Sequence, residues 1–198
     1  MPTTPTTVIY LHGFRSSPQS SKAVAVGQDL AHEGIGYICP ALDIAPVTAM
    51  AQAESAINEA LARGQRIRLI GSSLGGFFAS ALMERHPARS QFKAALLNPA
   101  PWPARDLAPY VGPLPAWHSD EILEFRKDYI DDLKALEVGI SAPERYLLVA
   151  AKGDELLDWQ EMVARYPGAH HHVIEGSDHG LSDFDHHWPR IKSFLLSA

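Results

Sequence analysis

The sequence predicts a three-layer α/β fold with a mostly or wholly parallel central sheet of about six strands. Short apolar runs of strand length alternate with longer helix-forming runs along most of the chain. This rhythm favours parallel strands joined by right-handed crossovers. Glycine or proline ends most of the runs, as expected for turns. The 198 residues suffice for one domain and are too few for two of ordinary size, so we expect 1–198 to form a single domain.

Three strands and three helices are predicted in the first half of the chain. The first strand covers 7–11 and follows a tail of threonine and proline. A helix over 20–32 ends before Gly34 and another over 47–63 ends at Gly64, because glycine readily takes the left-handed backbone at a helix C-terminus. The other elements are a strand over 37–39, a strand starting at 67, and a helix over 77–86 that stops at Pro87.

The second half opens with a strand over 93–97 and then breaks the rhythm. Residues 99–143 hold six prolines before Trp117, two tryptophans, and a charged stretch over 120–137 that predicts a helix. This segment is too long for an ordinary crossover and too aromatic for a disordered linker. We therefore expect a cap inserted over the strand ends. The remaining predicted elements are strands over 146–151 and 171–174 and helices over 156–166 and 183–196.

Composition excludes several classes of protein. Hydrophobic residues make up 46% and charged residues 20% of the chain, which is an ordinary soluble composition. The formal net charge of -6 leaves no basic face for a nucleic acid. We see no signal peptide and no apolar run long enough to span a membrane, so a cytoplasmic location is expected. The one cysteine, Cys39, rules out an intramolecular disulfide, and we interpret it as a buried, inert thiol.

The stretch IRLIGSSLGG, residues 67–76, carries the strongest chemical signal. Its pattern predicts a buried strand that runs into the pentapeptide G-S-S-L-G, with a helix after it. Ser73 has glycine at both offsets of two, Gly71 and Gly75, whereas Ser72 has Ile70 and Leu74 there. Only small neighbours let the chain turn so tightly and lift a serine Oγ above a sheet. Ser73 would also lie at a helix N-terminus, where a developing negative charge is favoured.

Two more reactive residue types follow predicted strands. Asp154 comes after the strand over 146–151, and His179 after the strand over 171–174. A serine hydroxyl is a weak nucleophile until a histidine accepts its proton, and that histidine needs a carboxylate to orient it. Two other carboxylates are rivals: Asp158 lies about a helical turn past Asp154 and could substitute for it by reach, whereas Asp178 adjoins His179 and is badly placed to orient that ring. Asp154 is therefore our predicted acid.

Several sequence blocks resemble known proteins. The blocks are YLHGFRSSPQSSKA near the N-terminus, GSSLGGFFA, NPA at 98–100, GDELLDWQEMV from Gly153 and VIEGSDHGL from Val173. Together they span nearly the whole chain outside the expected cap. They are similar to the α/β-hydrolase superfamily, and more closely to the YqiA/YcfP-like family of small bacterial esterases. The order Ser73, Asp154, His179 is also the serine, acid, histidine order of that superfamily.

The resemblance implies a fold, a reaction and a set of residues. The fold would be an α/β-hydrolase sheet that lacks the first two strands of larger members. The reaction would be hydrolysis of a small-molecule carboxylic ester or acyl thioester, with Ser73, Asp154 and His179 as catalytic triad. Backbone N–H groups of Phe14 and Leu74 would form the oxyanion hole, and Gly13 would let the chain bend toward the site. No cofactor is implied, and neither the acyl specificity nor the oligomeric state follows from the resemblance.

The expected cap supplies apolar residues for a substrate pocket. Trp102, Tyr110 and Trp117 are our candidate pocket residues, although a packing role is open for each of them. Leu107 and Phe125 belong to the same group of apolar side chains.

Alternative readings remain open at the level of sequence. His170, His171 and His172, with His179, Asp183, Asp185, His186 and His187, resemble a metal-ligand cluster. No spaced ligand motif is present, so no metal is predicted. His12 precedes Gly13, and it either braces the loop after the first strand or has a surface or structural role. A catalytically silent binding protein and a hydrolase of other bonds, such as C–C bonds or perhydrolase chemistry, are the alternative functions.

Overall fold

The computed structural model describes residues 4–116 and 120–197 and contains a six-stranded sheet. Every neighbouring pair of these six strands is parallel, and from one edge of the sheet to the other they are β2 Gly36–Ile38, β1 Thr6–Leu11, β3 Arg66–Ser72, β4 Lys93–Leu97, β7 Tyr146–Ala151 and β8 His170–Ile174. This confirms the predicted sheet.

Helices cover both faces of the sheet. The helices are α1 Ser21–His32, α2 Pro46–Ala62, α3 Leu74–Arg85, α4 Pro103–Asp106, α5 Asp128–Leu136, α6 Trp159–Arg165 and α7 Phe184–Leu196. Alternate strand residues point to opposite faces. Val8 and Tyr10 therefore pack with α1 and α7, while Ile9 and Leu11 pack with α2, α3 and α6. The result is the expected three-layer arrangement.

The prediction of a helix over residues 120–137 is wrong for the first half of that stretch. Residues Ile122–Phe125 form a strand, β6, which pairs antiparallel with β5, Gly112–Pro115. The stretch ILEF suits a strand because its apolar and branched residues pack well on a pleated surface. Phe125 is fully buried, and the helix α5 begins only at Asp128.

Two other helices begin more than one residue away from the predicted position, for local reasons. The helix predicted over 156–166 starts at Trp159, because Asp154 Oδ1 accepts hydrogen bonds from the N–H groups of Leu156 and Leu157 and forms a separate turn. Asp158 then caps the helix by accepting from the Gln160 N–H at 2.8 Å. The helix predicted from 77 starts three residues earlier, at Leu74, directly after Ser73.

The chain between β4 and β7 packs against the loop that follows β1. It contains α4, the β5–β6 hairpin and α5. The ring of Phe14 lies 5.1 Å from that of Phe125 and 6.2 Å from that of Tyr110, both edge-on. These contacts bring the segment beside the carboxyl edge of β1. Our interpretation of 99–143 as a cap stays a prediction.

None of the helices in the described part of the chain is long and apolar enough to cross a membrane.

Candidate active site

Ser73, Asp154 and His179 meet at one edge of the sheet. Each follows the carboxyl end of its own strand, namely β3, β7 and β8. Carboxyl ends of parallel strands lie along one edge, so side chains from three distant parts of the sequence come together there.

Ser73 has a strained backbone at the turn from β3 into α3. Its φ is 54° and its ψ is -120°, a region that non-glycine residues rarely occupy. The turn is held from both sides. The Ser73 N–H donates to Leu97 O at 2.9 Å, and the Ser73 carbonyl accepts from the N–H groups of Gly76 and Ala100 at 2.9 and 3.0 Å. The surroundings thus fix a conformation that the residue alone would avoid.

Gly71 and Gly75 let the backbone cross itself at this turn. A Cβ on Gly71 would lie 2.4 Å from Gly75 O, and a Cβ on Gly75 would lie 2.0 Å from Leu11 O. Both distances are far below van der Waals contact, and the opposing atoms are backbone. The glycines therefore serve close packing against β1 and within the turn.

A hydrogen-bonded chain links the three side chains. His179 Nε2 lies 3.0 Å from Ser73 Oγ, and His179 Nδ1 lies 2.8 Å from Asp154 Oδ2. The Asp154 side chain is 0% exposed and that of His179 is 17% exposed. Because a carboxylate only accepts, Nδ1 carries the proton and Nε2 presents its lone pair to the serine hydroxyl. This is the tautomer that a proton acceptor for serine needs.

The rival carboxylates have other partners. Asp158 is committed to the α6 N-terminus, and Asp178 Oδ1 accepts from the Ser182 N–H at 2.9 Å. Asp154 remains the acid whose carboxylate reaches the His179 ring.

The loop that carries His179 is tied down by residues that sequence analysis did not single out. Asn98 Nδ2 donates to the carbonyls of Asp178 and His179 at 3.0 and 3.1 Å, and Asn98 Oδ1 accepts from the Ala151 N–H at 2.8 Å. The His179 N–H donates to Glu155 Oε2 at 2.9 Å. Lys22 Nζ donates to the Gly180 carbonyl. The one available signal was Asn98, a polar residue directly after a buried strand.

A polar chain runs away from this loop through the histidine-rich region. Ser177 Oγ donates to Asp183, whose Oδ2 lies 3.1 Å from His187 Nε2, and His187 Nδ1 lies 3.0 Å from His172 Nε2. Burial lowers the pKa of His172, and the nearby Arg190 and His187 act in the same direction. Within 4–116 and 120–197, no group of three or more His, Cys, Asp or Glu side chains is arranged to hold a metal ion.

The backbone N–H groups of Phe14 and Leu74 donate no hydrogen bond to any of the described residues. Leu74 opens α3, whose first N–H groups have no partner within the helix. The turn at Gly13 lies hard against the serine, because a Cβ there would be 3.2 Å from Ser73 Cβ and 3.7 Å from Oγ. Phe14 and Leu74 are both among the residues that line the cavity containing Ser73.

His12 braces the loop after β1 and is buried. Its Nδ1 lies 3.1 Å from Gly13 O, and its Nε2 accepts from the Leu42 N–H at 3.0 Å. A ring that donates at one nitrogen and accepts at the other is neutral. The contacts join the 13–16 turn to the loop before α2, which is the bracing role that sequence left open.

A cavity of about 260 Å³ opens on Ser73 and His179. Its apolar wall comes mostly from Phe14, Leu74, Pro103, Leu107, Tyr110 and Leu157. Its polar or charged side chains include Arg15, Lys22 and Asp106. A second cavity of about 600 Å³ shares the 13–16 turn and Leu74 with it.

The candidate pocket residues have separate outcomes. Tyr110 lines the cavity. Trp102 is absent from its lining, because the ring packs against the Arg165 guanidinium at 4.8 Å. Phe125 is likewise buried beneath Phe14 instead of facing the cavity. Trp117 lies outside the described residues.

Sheet order, helix layers and the strand-end serine together define an α/β-hydrolase fold, and solved structures share it. A protein from Agrobacterium vitis S4 is 22% identical with a TM-score of 0.78, over 98% of this chain and 91% of that chain. Est1E from Butyrivibrio proteoclasticus, with ferulic acid bound, is 19% identical with a TM-score of 0.75, over 98% and 89%. A Pyrococcus furiosus esterase is 18% identical with a TM-score of 0.66, over 97% and 81%.

The chain belongs to the family described as "Uncharacterised protein family (UPF0227)", which it matches over residues 7–196. The match confirms the resemblance found in the sequence.

Proposed function

We propose that this protein hydrolyses carboxylic esters or acyl thioesters through an acyl-enzyme on Ser73. The observation that carries the proposal is the hydrogen-bonded chain from Ser73 Oγ through His179 to the buried Asp154 carboxylate. Structural neighbours add support of a weaker kind. One is described as an esterase, and another holds ferulic acid, a carboxylic acid.

The reaction would have two halves, acylation and deacylation of Ser73, and the same protein groups would serve both. Ser73 Oγ attacks the acyl carbon while His179 Nε2 takes its proton. The carbonyl oxygen becomes an oxyanion, which the Phe14 and Leu74 N–H groups stabilise by roughly 3 to 4 kcal/mol per donor. His179 then protonates the departing alcohol or thiol. In the second half His179 deprotonates a water, which releases the acid and restores Ser73.

Asp154 has a positioning role in both halves. Its Oδ2 holds the His179 Nδ1 proton and stabilises the imidazolium that forms when Nε2 accepts a proton. The Leu156 and Leu157 N–H groups hold the other oxygen, Oδ1. The carboxylate thus stays fixed while the histidine changes charge.

The two cavities suggest how an ester would be accommodated. We assign the acyl group to the apolar cavity of about 260 Å³ beside Ser73, a size below that of most drug-sized ligand sites. The alcohol or thiol would extend toward the cavity of about 600 Å³. Residues 99–143 would act as a cap, because Pro103, Leu107 and Tyr110 of this segment wall the acyl side.

A substrate panel tests this function. Esters and thioesters of graded acyl length are assayed with wild type, Ser73→Ala and the exposed-serine control Ser90→Ala. Ser73→Ala should lower kcat by roughly 10⁵ to 10⁶ with little change in stability, and Ser90→Ala should match wild type. Near-normal turnover by Ser73→Ala would overturn the assignment. Turnover of C–C or peracid substrates alone would move the protein to another reaction on the same residues.

A further inference from the structure

Asp106 is one of the residues that line the cavity containing Ser73 and His179. Its side chain is 19% exposed. One oxygen, Oδ1, accepts from Arg105 Nε at 2.7 Å. The other, Oδ2, is buried and accepts no hydrogen bond; in the described ranges 4–116 and 120–197 it is the one buried side-chain nitrogen or oxygen without a partner.

A buried carboxylate oxygen without a donor is costly, and native structures rarely keep one. Such an atom calls for a partner that the free protein does not supply. Because Asp106 lines the cavity, a ligand bound there can provide that partner once the carboxyl group turns its buried oxygen toward the cavity. Rotation about the last side-chain bond of aspartate is broad, so a partial turn of the carboxyl group can bring the buried oxygen to a ligand.

Arg105 pairs with the Asp106 carboxylate from outside the cavity. Arg105 donates to Asp106 through Nε and to Glu161 through Nη1 and Nη2, at 2.9 and 2.6 Å. The two bonds to Glu161 form a bidentate pair, which fixes the guanidinium plane. Since Arg105 is anchored on α6, it restrains the carboxylate even though its own side chain is largely exposed.

The other charged groups of the cavity indicate which kind of hydrogen-bond donor the ligand would carry. Arg15 and Lys22 line the same cavity, and an arginine is always charged. An ammonium on the ligand would meet like charge there, whereas a neutral hydroxyl would not. A hydroxyl is also small enough for a cavity of about 260 Å³.

We propose that Asp106 selects acyl groups that carry a hydroxyl, which donates a hydrogen bond to its unpartnered carboxylate oxygen. This inference rests on the proposed function and names the substrate class of the same site. A site built to bind a hydroxyl discriminates against the analogue without it, because the protein group is then left unpaired. Asp106 would thus be a specificity residue that touches the substrate away from the reacting carbon.

Matched ester pairs test the preference on the wild-type protein. Methyl hexanoate is compared with its 3- and 6-hydroxy derivatives, and methyl 3-phenylpropanoate with its 3- and 4-hydroxyphenyl derivatives. At least one hydroxylated ester should have a kcat/KM about 10-fold or more above its parent. Ratios below that value in every pair would overturn the proposal.

Variants assign the preference to the carboxylate. In Asp106→Leu the ratio for the preferred pair should fall at least about 5-fold, with a smaller fall in Asp106→Asn, which keeps one acceptor oxygen. Asp128→Asn is the matched control, because Asp128 pairs with Arg126 on the surface as Asp106 does with Arg105, and it should keep the wild-type ratio. An unchanged ratio in Asp106→Leu would contradict the assignment. If the Asp106 variants do not fold, Glu161→Gln, which loosens Arg105 from outside the cavity, should lower the ratio instead.

Binding to Ser73→Ala separates this inference from the proposed function. The free hydroxylated acid and its parent acid are titrated into this variant by calorimetry, where no turnover is needed. Binding of the hydroxylated acid about 10-fold tighter, with no ester hydrolysed by wild type, would leave Asp106 as a ligand-selecting residue and remove the esterase. Equal binding beside active hydrolysis would overturn only the role of Asp106.

Discussion

The side-chain amide of Asn98 lies 3.0 Å from the carbonyl oxygen of Asp178 and 3.1 Å from that of His179. Its own oxygen holds the Ala151 N–H at the end of β7. Asn98 is 1% exposed and has a φ of 40°, a conformation that asparagine tolerates better than most residues. One buried side chain thus joins the ends of β4 and β7 to the loop that carries the histidine.

Replacement of Asn98 should therefore harm both stability and activity. Asn98→Gly accommodates the positive φ and removes only the side-chain amide, so the Ala151 N–H and the carbonyls of Asp178 and His179 each lose one hydrogen bond. We expect a loss of about 1 to 3 kcal/mol in the free energy of unfolding and a fall of about 10-fold or more in kcat/KM. Urea denaturation and steady-state kinetics measure the two effects. Full activity in Asn98→Gly would show that the histidine loop is positioned by other contacts.

The acid can be identified by a pair of amide substitutions. Asp154→Asn should lower kcat by about 10⁴, because the amide favours the wrong tautomer of His179. Asp158→Asn is the matched control, since asparagine caps a helix as well as aspartate does, and its activity and stability should stay near wild type. Comparable losses in the two variants, measured as kcat at saturating ester, would reopen the choice of acid.

Gly13 should be sensitive to a single added methyl group. In Gly13→Ala the new Cβ would lie 3.2 Å from Ser73 Cβ, so either the serine or the 13–16 turn must shift. A small displacement of reacting groups is expected to lower kcat by about 10- to 100-fold. Gly139→Ala serves as control, because a Cβ there meets no atom within 4 Å. If Gly13→Ala keeps wild-type kcat, the turn does not approach the reacting atoms as closely as we infer.

Stability should fall with acidification through His172. Burial holds the pKa of His172 below its ordinary value, with Arg190 and His187 adding to the effect, while Asp183 lies beyond His187. The unfolded chain therefore takes up the proton first as the pH falls below about 6.5. The contribution of neutral His172 is present above that pH and is lost as the pH falls through the lowered folded value.

The free energy of unfolding at pH 8 and pH 5 measures this effect. His172→Gln should reduce the difference between the two pH values, because glutamine keeps a donor for His187 but does not titrate. The exposed His32 provides the control variant His32→Gln, which should keep the wild-type difference. An unchanged difference in His172→Gln would assign the acid sensitivity to other groups.

The central sheet could be predicted because its strands carry strong local signals. The runs KAALL and YLLVAA are continuous and apolar, and their observed bounds match the predicted ones. Glycines at 34 and 64 have positive φ and follow α1 and α2, as a helix end requires. The β5–β6 hairpin was not predicted, because β5 has the sequence GPLP and proline is a poor strand signal.

The residues of the candidate site likewise fall into those that a local sequence pattern marks and those that it does not. Ser73, Asp154 and His179 could be selected because each follows a strand and belongs to a recognisable block, while their catalytic roles stay predictions. Asn98 and Glu155 contact the loop that carries His179, which is distant in sequence, and Asp106 lines a cavity together with residues distant in sequence. No local pattern marks such contacts. Trp102 looked like a pocket residue by composition, and only the fold places it against Arg165.

The most direct test of the central claim is intact-mass spectrometry after incubation with a fluorophosphonate, followed by peptide mapping. We predict one adduct on wild type, located on Ser73, and none on Ser73→Ala or His179→Ala, because only a serine whose proton is accepted by histidine reacts readily. Folding of each variant is checked by thermal melting. A folded wild type that gains no adduct, or that carries it on another residue, would contradict an activated Ser73 and favour a catalytically silent binding protein.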